Sequence, residues 1–257
     1  MVRAVTRPPT PNYDRLAPTY DQRFEAETSE GLPAFVAETL ATLQPNRWLE
    51  VGCGTGRWLS LATGGQAIGL DRSAGMLAQA RRRLAPGRLV QGEAGALPFA
   101  HEQFDLVLCV HALHHFPDVA GFLHQAASML CPGASLVIAG LDAHDPDLSW
   151  YVYDFFEGVL ARDRRRYPPW SGLEALVSSI GLRPTERGRA ESIRQVQRGR
   201  QVLADPFLRP SSTSQLALLS EPAYRAGLAR IEAVLESDPQ RDFETRLEVQ
   251  YLRAVRP

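Results

Sequence analysis

Five apolar runs of strand length follow one another between Arg47 and Leu141: RWLEVG, AIGLD, RLVQGEA, QFDLVLCV and CPGASLVIAGL. Helical segments lie between most of them, and strands alternating with helices at this spacing pair in parallel through right-handed crossovers. The residues up to Asp142 therefore predict a doubly wound α/β half, with its ligand crevice at the carboxyl ends of the strands. QFDLVLCV is apolar almost throughout, the pattern of a strand covered on both faces.

The helices between and around these strands carry their own punctuation. LPAFVAETLATLQ, Leu32 to Gln44, repeats apolar residues at helical spacing and ends at Pro45. SAGMLAQARRRL opens on a serine cap, and Asp118 stands near the start of PDVAGFLHQAASML. YDRLAPTYDQRF, Tyr13 to Phe24, predicts a short helix broken at Pro18, and the proline-bearing residues 1–12 read as a frayed tail.

Beyond Asp142 the pattern loosens. DPDLSWYVYDFFEGVLARDRRRYPPW reads as one aromatic-rich helix with an arginine cluster and a proline stop. SGLEALVSSIGL has Ser171 and Glu174 at capping-box spacing and stops at Gly181. RPTERGRAESIRQV suggests a polar strand, and ETRLEVQYLRAVR alternates well enough to close a sheet. The stretch between them, about residues 195–239, is loop and then helix, and is expected to form a cap over the crevice.

With 257 residues, 44% of them hydrophobic, the chain can bury the core of one large domain, here expected over 13–257. All 28 basic residues are arginine, which excludes a phosphate-loop lysine, a Schiff base and a lysine general base, since each needs a primary amine. The formal net charge of -1 gives no overall field for nucleic acid or an anionic membrane. Cys53, Cys109 and Cys131 form no CxxC pair and read as reduced thiols of a cytoplasmic protein. No apolar run approaches the roughly 20 residues of a bilayer span, so no membrane insertion is expected, and the N-terminus lacks a signal-peptide core.

WLEVGCGTGRW sets Gly52, Gly54 and Gly56 at alternate positions directly after the first strand. A dinucleotide turn has the form G-x-G-x-x-G, because pyrophosphate must approach backbone amides at a helix start. Here the form is G-x-G-x-G with Glu50 ahead of it, and glycine spacing alone leaves several nucleotide-like cofactors open. Nineteen residues after Gly52 stands Asp71, at the end of the second strand, about where such sheets place a ribose-binding acid.

Four stretches, YDRLAPTYD, LEVGCGTGRW, IGLDRSAGMLAQAR and QGEAGALPFAHEQFDLVLCVHALHHFPD, together resemble the class I S-adenosylmethionine-dependent methyltransferases. The likeness covers roughly residues 10–142 and is strongest to the small-molecule branch with ubiquinone- and menaquinone-type biosynthetic enzymes. It implies a Rossmann-like, seven-stranded, mostly parallel sheet with helices on both faces. A helical lid over 13–31, a cofactor-binding core over 32–142 and a substrate-side half over 143–257 would complete it. It also implies S-adenosylmethionine as cofactor, held by Tyr20, Gly52, Cys53, Gly54, Gly56, Asp71, Arg72, Met76, Glu93, Ala94, Leu97 and Val110. In that reading Asp71 accepts from both ribose hydroxyls, Glu93 reaches the adenine amino group where the family often has aspartate, and Met76 and Leu97 sandwich the base. The chemistry agrees: this cofactor has no phosphate, so no lysine is needed, and a carboxylate offers two acceptors to a diol.

HALHH places His111 and His115 four apart, a spacing that would share a helical face. It lacks a zinc-protease glutamate or a third ligand nearby, so no metal is expected. His111 follows the fourth strand directly and is expected to face substrate; with Tyr20 it is the candidate base for a hydroxyl or amine acceptor. Tyr153 and Arg209 are the other expected substrate contacts. The aromatics from Trp150 to Phe156 are core residues of which some line the cleft mouth. The Arg162 to Arg166 cluster reads as a solvated helix end, favoured by the negative end of the helix dipole, over a nucleic-acid patch. The expected activity is methyl transfer to a small molecule by in-line displacement. An RNA methyltransferase, or a module that binds S-adenosylmethionine and transfers nothing, stands as the alternative.

Overall fold

The structure is a computed structural model that describes residues 10–22, 31–84 and 87–257. The tail up to residue 9 and the lid segment 23–30 lie outside the described residues. A single mixed sheet runs through the molecule. Its strands are β1 (Arg47–Val51), β2 (Gln66–Asp71), β3 (Leu89–Gln91), β4 (Phe104–Val110), β5 (Leu130–Leu141), β6 (Ser149–Trp150), β7 (Arg183–Arg198) and β8 (Asp242–Val255). The spatial order is β3-β2-β1-β4-β5-β8, with β7 on the far edge of β8 and β6 beside its first half. The first five strands are parallel and β8 is antiparallel to β5, which makes the fold Rossmann-like. The sheet has eight strands where seven were expected; the additional one is the two-residue β6, which pairs Ser149 with Arg246 and Trp150 with Thr245.

Side-chain alternation divides the strands between two layers. On β4, Leu106, Leu108 and Val110 pack with Trp48, Val36 and Leu77, whereas Val107 and Cys109 pack with Leu49, Leu70, Phe122 and Ile138. Helices cover both faces, as the unbroken apolar run of β4 requires. They include α1 (Tyr13–Leu16), α2 (Gly31–Leu43), α3 (Ala74–Ala80) and α4 (Val119–Met129). The caps of α3 and α4 are those expected: Ser73 Oγ accepts from Met76 N and Asp118 from Gly121 N. Residues 10–12, expected to fray, are tied in, since Pro11 is buried and Asn12 caps α1.

The second half differs from expectation in three ways. The aromatic segment forms α5 (Tyr151–Phe155) and α6 (Val159–Arg166) rather than one helix, because Gly158 between them adopts φ 74°. In α7 (Trp170–Ser179) the cap position is held by Pro169, so Ser171 lies inside the first turn and forms no capping box with Glu174. The arginine cluster is also not simply solvated: Arg166 is buried against Asp163, and Arg162 donates to the carbonyls of Gln215 and Leu218.

β7 and β8 pair along their whole lengths, from Arg183↔Val255 to Arg198↔Asp242, while β5 covers β8 only from Val249 onward. The ribbon therefore runs on past the sheet, and the cap hangs from its end. It carries α8 (Ser214–Ala217) and α9 (Glu221–Ser237), which close a third core with Tyr151, Val152, Phe156 and Phe243. The backbone N–H of Gly199 donates to Arg241 O at 2.8 Å and so closes the base of the insertion.

Gly227 in α9 sits so near Phe156 that an added Cβ would meet ring atoms at 2.2 Å. Alanine there gains up to about 1 kcal/mol of helix propensity, yet the ring is fully buried and cannot yield cheaply. Overpacking should win. Gly227→Ala is expected to lower stability by about 1–3 kcal/mol in urea unfolding, and unchanged stability would show that the cap is not packed this way.

Candidate active site

The glycine turn leaves β1 under tight backbone control. Gly52 and Cys53 both donate to Leu70 O, at 2.8 and 3.0 Å, so the turn is stitched to β2. Gly52 has φ 78°, and a Cβ on it would lie 2.4 Å from Ala112 Cβ, so only glycine fits. Gly54 has φ 53° and open space where a Cβ would stand, which leaves its backbone bare toward the adjoining cavity.

Asp71 ends β2 and ties the surroundings together. Its Oδ2 accepts from Gly54 N at 2.8 Å and its Oδ1 from Ser73 N at 2.9 Å. Burial raises its pKa, and the N–H groups of Ser73 and Gly54 oppose that rise by favouring the charged form. Each oxygen keeps a further lone pair for a ligand.

The lid fastens to the same residues. Asp14 Oδ1 accepts from Ser73 Oγ and Gly75 N, both at 2.7 Å, and these contacts lower its pKa, the Gly75 N–H most. Asp21 accepts from Thr55 Oγ1 at 2.8 Å and pairs with Arg83 at 2.7 Å. Tyr13 and Tyr20 then meet edge to face with centroids 5.9 Å apart, and Tyr13 Oη shares a 2.7 Å hydrogen bond with His115 Nε2.

Two cavities result. The first, about 680 Å³, lies between the glycine turn, Asp71 and the lid. Of the residues expected to hold the cofactor, it brings together Tyr20, Gly52, Gly54, Asp71, Arg72, Met76, Glu93 and Ala94. The second, about 980 Å³, lies under the cap and is walled by Trp150, Tyr167, Phe207, Gln215 and residues of β7 and β8. Tyr13, Tyr20, His111 and His115 line both.

Several expected residues stand elsewhere. Cys53 and Val110 point into the sheet-helix core, because the strand alternation that bares their neighbours turns them inward. Gly56 faces α3, where a Cβ would meet Leu84 and Ala80, so it serves close packing. Leu97 is buried in the core and its N–H donates to Gln125 Oε1 at 2.7 Å. Tyr153 is turned to Asp163, 2.8 Å away, and Arg209 is exposed; neither lines the second cavity, whereas Trp150 does. Tyr13 and His115 were not expected among the site residues, although both lie inside stretches singled out as motifs.

The histidines do not share a helical face. His111 is left-handed at φ 51°, its N–H held by Ala139 O at 2.8 Å, and only Leu113–His115 form a turn of 3-10 helix. His111 thus turns out of β4 in a conformation rare for a side chain of this size, and the flanking strand pins it there. His114 stacks on Tyr167 with centroids 4.0 Å apart, and Gln215 Nε2 donates to both Tyr167 Oη and Asp163. Among the described residues no group of three or more potential metal ligands occurs.

The geometry fits an adenosyl-amino-acid ligand: a carboxylate for a diol, a bare glycine backbone and an acid at Glu93. The methyltransferase domain family matches residues 49–138, from β1 to β5. The demethylmenaquinone methyltransferase of Lactiplantibacillus plantarum is 32% identical over 60% of this chain and 75% of its own length. The 2-phytyl-1,4-naphtoquinone methyltransferase of Synechococcus elongatus is 33% identical over 52% of this chain and 63% of its own. In structure, Haemonchus contortus phosphoethanolamine N-methyltransferase 2, solved with S-adenosyl-L-methionine, shares the fold at TM-score 0.58. It is 18% identical, over 95% of this chain and 57% of that one.

Fold and site define an S-adenosylmethionine-dependent methyltransferase of class I. The chain belongs to the methyltransferase domain family of these enzymes.

Glu50, under the glycine turn, is fully buried, and among the described residues no cation pairs with its carboxyl. Burial, and then the charge of Asp71, raise its pKa well above the usual range, so it keeps its proton. A carboxyl with a raised folded pKa contributes stability that is present below its unfolded pKa and lost as pH rises through the window above it. Glu50→Gln is therefore expected to match the wild type in urea unfolding near pH 4 and to exceed it progressively toward pH 8. Parallel pH profiles would show that Glu50 is ionised in the fold.

Proposed function

We propose that the chain passes the methyl group of S-adenosylmethionine to a small-molecule acceptor seated under the cap, with the transfer point at Tyr13, Tyr20, His111 and His115. The observation that carries this reading is the wall these four side chains form between the two cavities. The cofactor, when bound, supplies a methyl already activated by its sulfonium.

The chain's part is to hold, orient and dry the site. Asp71, Gly54, Met76 and Glu93 hold the adenosyl end in the first cavity. The lid, tied down through Asp14 and Asp21, keeps water from the wall, and water would stabilise a sulfonium more than the dispersed charge of transfer. His115 Nε2 shares a hydrogen bond with Tyr13 Oη, so a hydroxyl or amine acceptor can pass its proton to the Tyr13 hydroxyl as that hydroxyl passes its own to His115. His111 lines both cavities and positions the acceptor, while the base role expected of His111 or Tyr20 falls in this reading to His115.

A small acceptor is favoured over RNA because the second cavity is roofed by the cap and because Arg162 and Arg166 are turned into the protein. The quinone-type relatives support the same choice, since the substrates in their names are quinones and not nucleic acids. Among the described residues no helix is long and apolar enough to cross a membrane, and the three cysteines are free. We place the protein in the cytoplasm on that reading.

Asp71→Ala should weaken S-adenosylhomocysteine binding by about 1.5–3 kcal/mol in titration calorimetry, and unchanged affinity would remove Asp71 from the site. With labelled S-adenosylmethionine and cell extract, the wild type should label a small metabolite. A chain that binds the cofactor but labels nothing would be a binding module, and salt-dependent labelling of tRNA would restore the RNA reading. Once the acceptor is in hand, His115→Ala should lower kcat by about 10²–10⁴-fold, with cofactor affinity nearly unchanged. A kcat within about 2-fold of wild type would dismiss His115 as the base.

A further inference from the structure

The buried acids among the described residues are held in different ways: Asp163 has Arg166, Glu248 has Arg189 and Arg194, Glu50 keeps its proton, and Glu191, which also lines the cavity under the cap, has contacts of its own. Asp205 is 7% exposed and is held by two neutral donors, Tyr151 Oη at 2.6 Å and Phe207 N at 2.8 Å. No cation lies against it among the described residues. A carboxylate taken out of water without a counter-charge is costly, and a capping role alone needs no charge, since a serine or asparagine would serve.

Asp205 lines the cavity under the cap and does not line the cofactor cavity. The two hydrogen bonds leave lone pairs on its oxygens for a further donor. Trp150, Tyr167 and Phe207 line the same cavity, and aromatic faces attract a cation once water is excluded. A desolvated carboxylate among aromatic rings is a receptor for an organic ammonium.

We propose that the methyl acceptor carries a protonated amine, which Asp205 and these rings hold as an anchor while another atom of the same molecule is presented at the His111 and His115 wall. The inference rests on the reading of the second cavity as the acceptor site. The ammonium is an anchor and not the methylated atom, because a protonated nitrogen has no lone pair to attack with. Asp205 is thus a specificity residue, and an acceptor with a carboxylate in that place is disfavoured by like charge.

Three indole probes of one shape test this in titration calorimetry at pH 7 with S-adenosylhomocysteine present: tryptamine, tryptophol and indole-3-acetate. Tryptamine is expected to bind at least about 10-fold more tightly than tryptophol, with indole-3-acetate weakest. Asp205→Asn should erase the advantage of tryptamine over tryptophol and leave S-adenosylhomocysteine affinity unchanged. The proposal is overturned if the wild type ranks tryptophol or the acetate level with tryptamine, or binds none of the three at about 10 mM. It is also overturned if the folded variant keeps the preference; should the variant not fold, the wild-type ranking decides. Failure of the methyltransferase reading would be seen separately, as no binding of S-adenosylhomocysteine whatever the amine ranking.

Discussion

The carboxylate of Asp71 is the joint on which the cofactor side of the molecule turns. One oxygen fixes Gly54 in the turn after β1, the other fixes Ser73 at the start of α3, and between them the carboxylate stays open to the cavity. Ser73 in turn caps α3 with its hydroxyl and donates that hydroxyl's proton to Asp14 of the lid. Glycine turn, helix start and lid are therefore referred to a single acid, and they cannot shift independently. A ligand that hydrogen-bonds to this acid binds to a frame already set, which limits the ordering that binding must impose.

The first five strands were legible because each is an apolar run bounded by turn chemistry, and the glycine turn and Asp71 fall at fixed places in that pattern. What the pattern could not tell is which side of the backbone meets the ligand. Cys53 and Gly56 lie in the turn, and Val110 at the end of β4, yet all three face the packed layers. Segments near a ligand are marked by sequence, whereas facing within them depends on local φ values such as the 51° of His111, which no residue pattern announces. His115 is the counter-case. It was passed over in favour of His111, and what ties it to the site is a hydrogen bond with Tyr13, 102 positions away.

The cap was read as present but not as to what it holds. Its contacts with the core are between residues far apart in the chain: Gln215 with Asp163, Arg162 with Leu218, Tyr151 with Asp205. Arginines in a row suggested a solvated helix end, which describes Arg164 and Arg165 but not Arg166, drawn inward by Asp163 one turn earlier. The pair is buried, and Arg166 Nε and Nη1 have no hydrogen-bond partner among the described residues. Such a pair contributes little net stability, since desolvation offsets much of the attraction. Its effect is on placement: Asp163 also receives Tyr153 and Gln215, so α6, the aromatic helix before it and α8 meet at one acid.

That placement connects the cap with the proposed transfer point. Gln215 bonds both Asp163 and Tyr167, Tyr167 stacks on His114, and His114 lies 3.9 Å, centroid to centroid, from His115, which is bound to the lid through Tyr13. The wall between the cavities is thus braced from one side by the cap and from the other by the lid. Neither brace is part of β1 to β5, so the sheet can be shared among relatives while the acceptor cavity differs. On the proposed reading of the second cavity, specificity resides largely in the β7–β8 ribbon and the insertion it carries, which lie outside the matched residues 49–138.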